Sequence, residues 1–373
     1  MRSYRYWIAT KSRSKGAAAG KRILFLTAGN SSVASTRVRV LEYITELTKV
    51  GFSCQVLPSF SLFPDRSRSG KNFLWRFQYI IARKLRKPAE VLRALLAVAI
   101  ASHFDIVFVQ KIILPPVLQK ILLIHTPKIV FDFDDAIFNS PEYYGKEAWL
   151  VNQLAACSLV LAGNEWLAGY ARQYSKNVIV FPTPVDTARL VPSVNSKKNN
   201  DTVVVGWIGS PSTLPQLEML STVFDKITNK YSNLKFLVIG IDGSKLGNGR
   251  VEYRPWSESN ELEYLRQMDI GVMPLRDEPS TRGKCGYKLL QYMACGLPVI
   301  ASPVGVNKEI VYEGENGYLA TSESEWIDKL ALLIENPELR KNLGLQGRQF
   351  VEENYSYQVL APRLINALYS PFE

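Results

Sequence analysis

Residues 284–306 read KCGYKLLQYMACGLPVIASPVGV, and this pattern sets the fold expected for the chain around it. Leu289, Leu290 and Met293 fall on one face of a predicted helix, and Gly296 supplies the break at its C-terminal end. The apolar run VIA that follows predicts a buried strand. We therefore expect one helix–strand unit of an α/β sheet here.

The turn before this helix has the residues of an anion site. Gly283 and Gly286 bracket it, and Lys284 and Lys288 lie beside them. Backbone N–H groups and the positive end of a helix dipole together favour a phosphate-bearing ligand. An ordinary helix–strand unit accounts for the same residues equally well, so the turn by itself leaves both interpretations open.

Strand and helix patterns alternate along the chain, which predicts doubly wound parallel sheets. The polar segment PSVNSKKNND lacks apolar periodicity and predicts a linker between two Rossmann-like domains. Ligands of such sheets bind at the carboxyl ends of the strands, so a cleft between the domains is the expected site. The predicted divisions are a basic, disordered tail at 1–21, an N-terminal domain at 22–190, the linker at 191–201, a C-terminal domain at 202–355, and a last helix at 356–373 that crosses back to the N-terminal domain.

The composition is that of a globular protein, since 47% of the 373 residues are hydrophobic and 21% are charged. No run reaches the ~18 apolar residues of a membrane span, and the basic N-terminus lacks the apolar stretch of a secretory signal. The four cysteines have no paired spacing and there are two histidines, so a zinc site is not expected. A reducing cytoplasm fits this cysteine usage.

The positive charge lies in the first hundred residues, which carry 19 Lys and Arg against 4 Asp and Glu. Within them, residues 71–93 (KNFLWRFQYIIARKLRKPAEVLR) interleave aromatic and basic side chains, as interfacial helices of peripheral membrane enzymes do. A core helix with a basic outer edge is the alternative. The expected partner is an anionic membrane surface and not nucleic acid, because no nucleic-acid-binding motif accompanies the charge.

Several motifs follow one another in a fixed order. They are FPTPVDTARL at 181–190, WSESNELEYLRQMDIGVMPL at 256–275, LLQYMACGLPVIAS at 289–302 and GVNKEIVYEGENGYLA at 305–320. In this order they resemble the retaining glycosyltransferases of family 4 (glycosyl transferases group 1). The resemblance implies the GT-B fold, with a nucleotide-sugar in the C-terminal domain and the acceptor in the N-terminal domain. It also implies no metal and no cofactor. The absence of G-x-G-x-x-G likewise disfavours a dinucleotide.

The resemblance further implies a donor site. Its residues are Gly29, Asn30, Ser210, Trp256, Gly283, Lys284, Cys285, Gly286, Tyr287, Lys288, Leu289 and Gln291.

Two of these positions depart from the family. Gly283 stands where the family has a glutamate that touches the sugar, and Gln291 stands where it has a glutamate that binds the ribose. An amide can still exchange hydrogen bonds with ribose hydroxyls. The basic pair that usually follows the first strand of this domain is also missing, so Lys284 and Lys288 are assigned to the phosphates. The alternative is that both lysines are solvated.

The run DFDD follows an apolar strand, so Asp132, Asp134 and Asp135 are expected at the carboxyl end of that strand. Adjacent carboxylates raise one another's pKa, which makes them costly without a purpose or a cation. We interpret them as catalytic residues that accept or orient the proton of an acceptor hydroxyl. Helix capping by Asp135 and metal binding by the cluster are the alternatives. The residues assigned to the acceptor side are Arg37, Asn164 and Glu165.

These features predict a glycosyltransferase that is cytoplasmic and peripheral on the inner face of the cell membrane. It would move a sugar from a UDP- or GDP-linked donor, with retention, to a saccharide or lipid-linked saccharide in cell-surface polysaccharide assembly. Two alternatives stay open. A nucleotide-sugar epimerase shares the fold, although so few histidines argue against it, and a non-catalytic GT-B scaffold would explain the missing glutamates.

Overall fold

The computed structural model describes residues 20–59, 92, 94–126, 128–140, 143–193, 202–241 and 250–370. The predictions for nearly all of the basic stretch 71–93 and of the tail 1–21, and for most of the linker 191–201, lie outside the described residues. The chain divides into two compact units, of which unit 1 holds Met1–Pro182 with Arg363–Glu373 and unit 2 holds Thr183–Pro362.

Unit 1 is built on a parallel sheet of six strands in the order β2-β1-β3-β4-β5-β6. The strands are β1 Arg22–Thr27, β2 Ser53–Pro58, β3 Ile106–Gln110, β4 Ile129–Phe133, β5 Leu159–Ala162 and β6 Val178–Val180. All residues of β3 and β4 are buried, which is why both read as continuous apolar runs rather than as alternating patterns. Because β1, β3 and β4 are neighbours, the segments that follow them lie side by side at the carboxyl edge.

The helices of unit 1 connect these strands. They are α1 Ala34–Arg39, α2 Ile44–Lys49, α3 94–101, α4 Pro116–His125, α5 Glu147–Ala156 and α6 Glu165–Ala171, with short 3₁₀ helices at Leu41–Tyr43 and Ile137–Asn139.

Unit 2 has a second parallel sheet of six strands, in the order β12-β11-β10-β7-β8-β9. Its strands are β7 Val203–Ile208, β8 Leu234–Ile239, β9 Val251–Arg254, β10 Ile270–Met273, β11 Val299–Ala301 and β12 Gly317–Leu319. Its helices are α7 Leu214–Leu217, α8 Ser221–Lys230, α9 Glu261–Leu265, α10 Pro279–Arg282, α11 Tyr287–Ala294, α12 Asn307–Ile310, α13 Glu323–Glu335 and α14 Pro337–Asn354, with 3₁₀ helices at Pro211–Thr213 and Glu218–Leu220.

The last helix, α15 (Tyr357–Tyr369), begins in unit 2, and its residues from Arg363 onward belong to unit 1. Inside unit 1, Lys128 Nζ donates a hydrogen bond to the carbonyl oxygen of Leu368 at 2.6 Å. The ring of Tyr369 packs on that of Phe52, with 4.5 Å between centroids. These contacts attach the end of the chain to the sheet of unit 1.

The sheet of unit 2 has a hydrophobic core on each face. Successive residues of a strand point to opposite faces, so Leu237 and Ile239 enter one core while Phe236 and Val238 enter the other. The first core is closed by α11 and α14 and the second by α8 and α13. The predicted doubly wound parallel sheets are therefore confirmed.

The segment quoted at the outset forms α11 and β11, as its pattern predicts. All residues of α11 from Leu289 onward are buried. The helix lies close to the sheet because Gly271 on β10 has no side chain, and a Cβ there would collide with the ring of Tyr292. The Tyr292 hydroxyl oxygen in turn accepts a hydrogen bond from the N–H of Ile208 at 2.9 Å.

Among the described residues, no helix combines the length and the apolarity that crossing a bilayer requires.

Candidate functional site

The acidic residues at the carboxyl end of β4, of which Asp132 lies within the strand and Asp134 and Asp135 follow it, are divided between two different cations of unit 1. Asp132 is 1% exposed, and the guanidinium of Arg39 donates to both of its carboxylate oxygens, with Nε at 3.1 and 2.9 Å. Arg39 Nη2 also donates to the carbonyl oxygen of Phe181 at 3.0 Å. Burial raises the pKa of the Asp132 carboxyl, and the Arg39 guanidinium opposes that rise. Asp132 thus lies in a buried ion pair that ties α1 to β4.

Asp134 and Asp135 point to a lysine instead. Lys111, which directly follows β3, places Nζ 3.0 Å from Asp134 Oδ1 and also pairs with Asp135. The hydroxyl of Ser35 donates to Asp134 Oδ1 at 2.8 Å. The structure therefore brings two of the three predicted catalytic carboxylates together with one ammonium group.

Within the cluster of Lys111, Asp134 and Asp135, the opposite charges stabilise the ionised forms of Lys111 and Asp134. Burial by itself lowers the pKa of the Lys111 ammonium, but Asp134 and Asp135 outweigh it and raise that pKa above its usual range. Burial by itself raises the pKa of the Asp134 carboxyl, but Lys111, Arg39 and the Ser35 hydroxyl hold that pKa below its usual range. Asp134 is therefore ionised at neutral pH and can accept a hydrogen bond from a ligand hydroxyl.

A polar network connects this cluster to the loop after β1. Gln110 Nε2 donates to Ser35 Oγ at 2.7 Å, and the N–H of Ala28 donates to Gln110 Oε1 at 3.1 Å. In the same loop, the side-chain oxygen of Asn30 accepts from the N–H of Ser32 at 3.0 Å, which closes a tight turn. The predicted donor residues Gly29 and Asn30 thus lie in a loop that is hydrogen-bonded to the acidic cluster.

The three residues assigned to the acceptor side have different surroundings. Arg37 is buried, and its Nη1 donates to the carbonyl oxygen of Ser31 at 3.3 Å. Asn164 is buried and caps α6, because its side-chain oxygen accepts from the N–H of Leu167 at 2.9 Å. Glu165 is exposed and pairs with Arg172. The three side chains thus lie in different settings: Arg37 in a buried polar contact, Asn164 in a helix cap and Glu165 in an exposed ion pair.

In unit 2 the turn of residues 283–286, which precedes α11, depends on the backbone conformation of Gly286. Gly286 adopts the left-handed conformation, with φ of 66°, and α11 begins at the next residue. Few other residues tolerate this φ, and a Cβ at Gly286 would also collide with Cδ1 of Ile310. The first turn of α11 contains no acidic residue, so the positive end of its dipole is not neutralised from within the helix.

The side chains of the turn divide into two groups. Cys285 and Leu289 are buried in the protein, so only their backbone could contact a ligand. Lys284, Tyr287 and Lys288 are half-buried.

Lys288 lies over an aromatic ring. Its Nζ is 4.7 Å from the ring centroid of Trp207, near the end of β7, which is a cation–π contact. The next predicted donor residue along the chain, Ser210, starts a turn in which its N–H donates to Thr213 Oγ1 at 3.2 Å. The carboxyl end of β7 and the first turn of α11 are therefore neighbours through the Lys288–Trp207 pair.

Gln291 contacts a buried carboxylate, Glu261, at the start of α9. Gln291 Nε2 and Trp256 Nε1 both donate to Glu261 Oε1, at 3.0 and 3.1 Å. Arg189 Nη2 donates to the other oxygen at 2.8 Å. Glu261 is 2% exposed and Gln291 is 3% exposed. Two of the predicted donor residues, Trp256 and Gln291, thus share one carboxylate.

Sequence reasoning missed the partners of its own candidates. Lys111 and Gln110 lie at the carboxyl end of β3, where the rule that led to Asp134 would also have found them. Glu261 carried no comparable signal, because a glutamate at the start of a helix is commonly solvated. Within the described residues there is no group of three or more His, Cys, Asp or Glu side chains that could hold a metal ion.

Comparison with known proteins agrees with this architecture. Residues 202–336 match the family model "Glycosyl transferases group 1". Sucrose-phosphate synthase from Thermosynechococcus elongatus superposes with a TM-score of 0.66 at 14% identity, covering 94% of this chain and 98% of that one. HepE of Anabaena, solved in complex with UDP, also gives 0.66, at 15% identity and over 94% and 100% of the two chains. The chain has the GT-B fold.

Two curated relatives that are named as transferases are similar to about half of this chain. A GDP-mannose-dependent monoacylated alpha-(1-6)-phosphatidylinositol monomannoside mannosyltransferase of Corynebacterium glutamicum is 28% identical over 51% of this chain and 47% of its own length. The capsular polysaccharide biosynthesis glycosyltransferase CapM of Staphylococcus aureus is 25% identical over 46% and 47%. The matches to these two relatives span slightly less than half of their length. The GT-B fold is therefore established over nearly the whole chain, and the similarity to curated relatives over about half of it.

Proposed function

We propose that the protein is a retaining glycosyltransferase of the family 4 type that moves a sugar from a nucleotide-sugar to a hydroxyl of a saccharide or lipid-linked saccharide. The observation that carries the proposal is the position of the turn 283–291. This turn lies inside the matched family region and joins a helix N-terminus to Lys284 and Lys288. Both features suit a diphosphate.

The chemistry assigns one task to each unit. When the bond from the anomeric carbon to the diphosphate breaks, negative charge develops on the departing phosphate. Lys284, Lys288 and the dipole of α11 would stabilise that charge. Asp134, ionised and held by Lys111 and Ser35, would orient the acceptor by accepting a hydrogen bond from the attacking hydroxyl. Asp135 pairs with the same lysine, whereas the buried Asp132 acts by holding Arg39.

Relatives and neighbours suggest the substrates. The structure of HepE holds UDP, and the Corynebacterium glutamicum relative is named as GDP-mannose-dependent. We therefore propose a UDP- or GDP-linked donor. The names of that relative and of CapM favour an acceptor among membrane lipids or capsule-like polysaccharides, hence a role in cell-surface polysaccharide assembly.

The basic N-terminal hundred residues support a peripheral position on the anionic inner face of the cell membrane, in the cytoplasm.

The test is turnover of a panel of UDP- and GDP-sugars, with saccharide and lipid-linked acceptors, followed as release of nucleotide and of free or transferred sugar. We expect at least one donor to be hydrolysed slowly without acceptor and transferred with the configuration retained. Lys288→Met should lower that rate at least ~10-fold, because a charged donor to the leaving group is lost. Lys308→Met, an exposed lysine on α12, is the matched control and should leave the rate unchanged. Absence of turnover with every donor would refute the proposal.

A further inference from the structure

The buried Glu261 determines how the side chain of Gln291 is oriented. A carboxylate only accepts hydrogen bonds, so the amide must turn its Nε2 toward Glu261, as the distance of 3.0 Å shows. The amide oxygen Oε1 then faces away from Glu261. Within the described residues, Oε1 of Gln291 has no hydrogen-bond partner, although the residue is only 3% exposed.

Glu261 is itself held in place from two further sides. Trp256 Nε1 donates to the same oxygen as Gln291, and Arg189 neutralises the other oxygen. These three donors are contributed by different parts of unit 2, the segment before β7, the segment before α9, and α11. A carboxylate that is fixed in this way cannot rotate to accommodate a flipped amide. The orientation of Gln291 is therefore set by the fold and not by a ligand.

We propose that Glu261 is a positioning residue, which fixes the Gln291 amide so that Oε1 accepts a hydrogen bond from a hydroxyl of the bound nucleotide-sugar. This inference rests on the function proposed above. A carbonyl oxygen accepts from hydroxyl or N–H groups and repels phosphate oxygens, so its ligand is a neutral hydroxyl. That hydroxyl belongs either to the ribose or to the transferred sugar.

The pair also gives a physical reason for the glutamine. A glutamate at 291 would put a second carboxylate about 3 Å from Glu261 in a buried site, where like charges disfavour ionisation of both groups. Glutamine keeps an oxygen acceptor at this position and satisfies Glu261 at the same time. The residue types at 261 and 291 therefore depend on each other.

The experiment measures nucleotide affinity of the full-length protein and its variants by calorimetry. The probes are UDP and GDP, their 2′,3′-dideoxyribose forms, UDP-glucose and GDP-mannose. Glu261→Gln frees the Gln291 amide to flip and should weaken binding about tenfold, since a buried acceptor is replaced by a donor. The matched control is Glu263→Gln on the exposed side of α9, which should bind as the wild type does.

A second variant covers the case in which Glu261→Gln does not fold. Gln291→Met removes Oε1 but leaves Glu261 with its bonds to Arg189 and Trp256, and should weaken binding by a similar factor. The double variant Glu261→Gln with Gln291→Glu exchanges the two groups, so that residue 261 donates and residue 291 accepts. We expect it to bind more tightly than Gln291→Glu alone.

The pattern of losses identifies the hydroxyl. If the ribose is bound, the dideoxy nucleotides bind weakly to the wild type and lose nothing further in Glu261→Gln. If the transferred sugar is bound, the loss is confined to UDP-glucose or GDP-mannose. A merely structural role would weaken all probes by the same factor and would overturn the inference, as would variants that bind every probe as the wild type does. A wild type that binds none of the probes would instead refute the proposed function together with the inference.

Discussion

Lys111 supplies the cation for two of the three carboxylates at the carboxyl end of β4. The sequence shows three carboxylates within four residues, and such a cluster is costly unless a cation accompanies it. The cation is supplied by the neighbouring strand, because Lys111 follows β3 directly and β3 pairs with β4. Lys111 is also the one non-glycine residue with positive φ (57°) among those described. Its backbone turns in the left-handed conformation just where the side chain reaches Asp134.

We predict that Lys111→Met lowers the free energy of unfolding by about 3 kcal/mol near neutral pH, because it leaves the largely buried carboxylate of Asp134 without its cation. In the wild type, the lowered pKa of Asp134 makes its contribution fully present above the usual pKa of 3.8 and lost only in stronger acid. The raised pKa of Lys111 makes its contribution fully present below 10.5 and lost only in stronger base. Between these limits the stabilisation by the pair is independent of pH.

In Lys111→Met the burial of Asp134 is no longer opposed by the lysine, so its pKa rises and the carboxyl takes up a proton as the pH falls. The difference in the free energy of unfolding between the wild type and Lys111→Met should therefore be largest near pH 8 and should shrink toward about pH 5. Denaturant unfolding across this range measures it, and Lys120→Met on the exposed side of α4 is the control. If the difference in unfolding free energy does not change with pH, Asp134 does not take up a proton in Lys111→Met as expected.

At the scale of secondary-structure elements, the start of α11 depends on one glycine. Gly286 has φ of 66° and packs against Ile310 of α12, whereas Gly314 has φ of 76° and nothing within 4 Å of the position of a Cβ. The two glycines share the backbone requirement and differ in their surroundings. Comparing them separates conformational strain from packing.

Alanine at Gly314 should lower the free energy of unfolding by about 1 kcal/mol, which is the cost of the left-handed conformation alone. Alanine at Gly286 should cost at least about 1 kcal/mol more, because its Cβ must displace Ile310. Ile310→Val, which removes Cδ1, should recover part of that additional loss. Equal destabilisation by the two alanine substitutions, measured by denaturant unfolding, would show that packing against Ile310 is unimportant.

At the scale of the whole molecule, the excess positive charge is confined to the first hundred residues. The first hundred residues carry 19 Lys and Arg against 4 Asp and Glu, and residues 71–93 are both basic and aromatic. Each basic residue near an anionic membrane contributes roughly 1 kcal/mol, and the attraction falls off over a Debye length of about 8 Å at physiological salt.

We predict that the protein co-sediments with vesicles that contain phosphatidylglycerol, and that binding falls as the salt concentration rises. Vesicles of phosphatidylcholine alone should bind much less. Replacing the basic residues of 71–93 by glutamine should abolish most of the binding, while replacing the same number of basic residues in unit 2 should not. Binding that is absent, or that is indifferent to salt and lipid charge, would remove the membrane surface from the proposed partners.

The amino-acid sequence by itself determined the α/β class, the doubly wound sheets, and the helix–strand unit at 284–306. These follow from apolar periodicity and from glycine positions, which are properties of neighbouring residues in the chain. The motifs in their order were also sufficient to indicate the GT-B fold. Local reasoning also led to the prediction that Asp134 lies at the carboxyl end of a strand, whereas Gln291 was singled out by the family resemblance.

Only the tertiary structure decided what those residues touch. Arg39 pairs with Asp132 across 93 positions, Ser35 with Asp134 across 99, and Gln291 with Glu261 across 30. Such partners become neighbours because parallel strands and their helices align distant segments at one edge of a sheet, and no local pattern records which segments those are. Whether a carboxylate is catalytic, paired in the core or positioning an amide is thus decided by the sheet order.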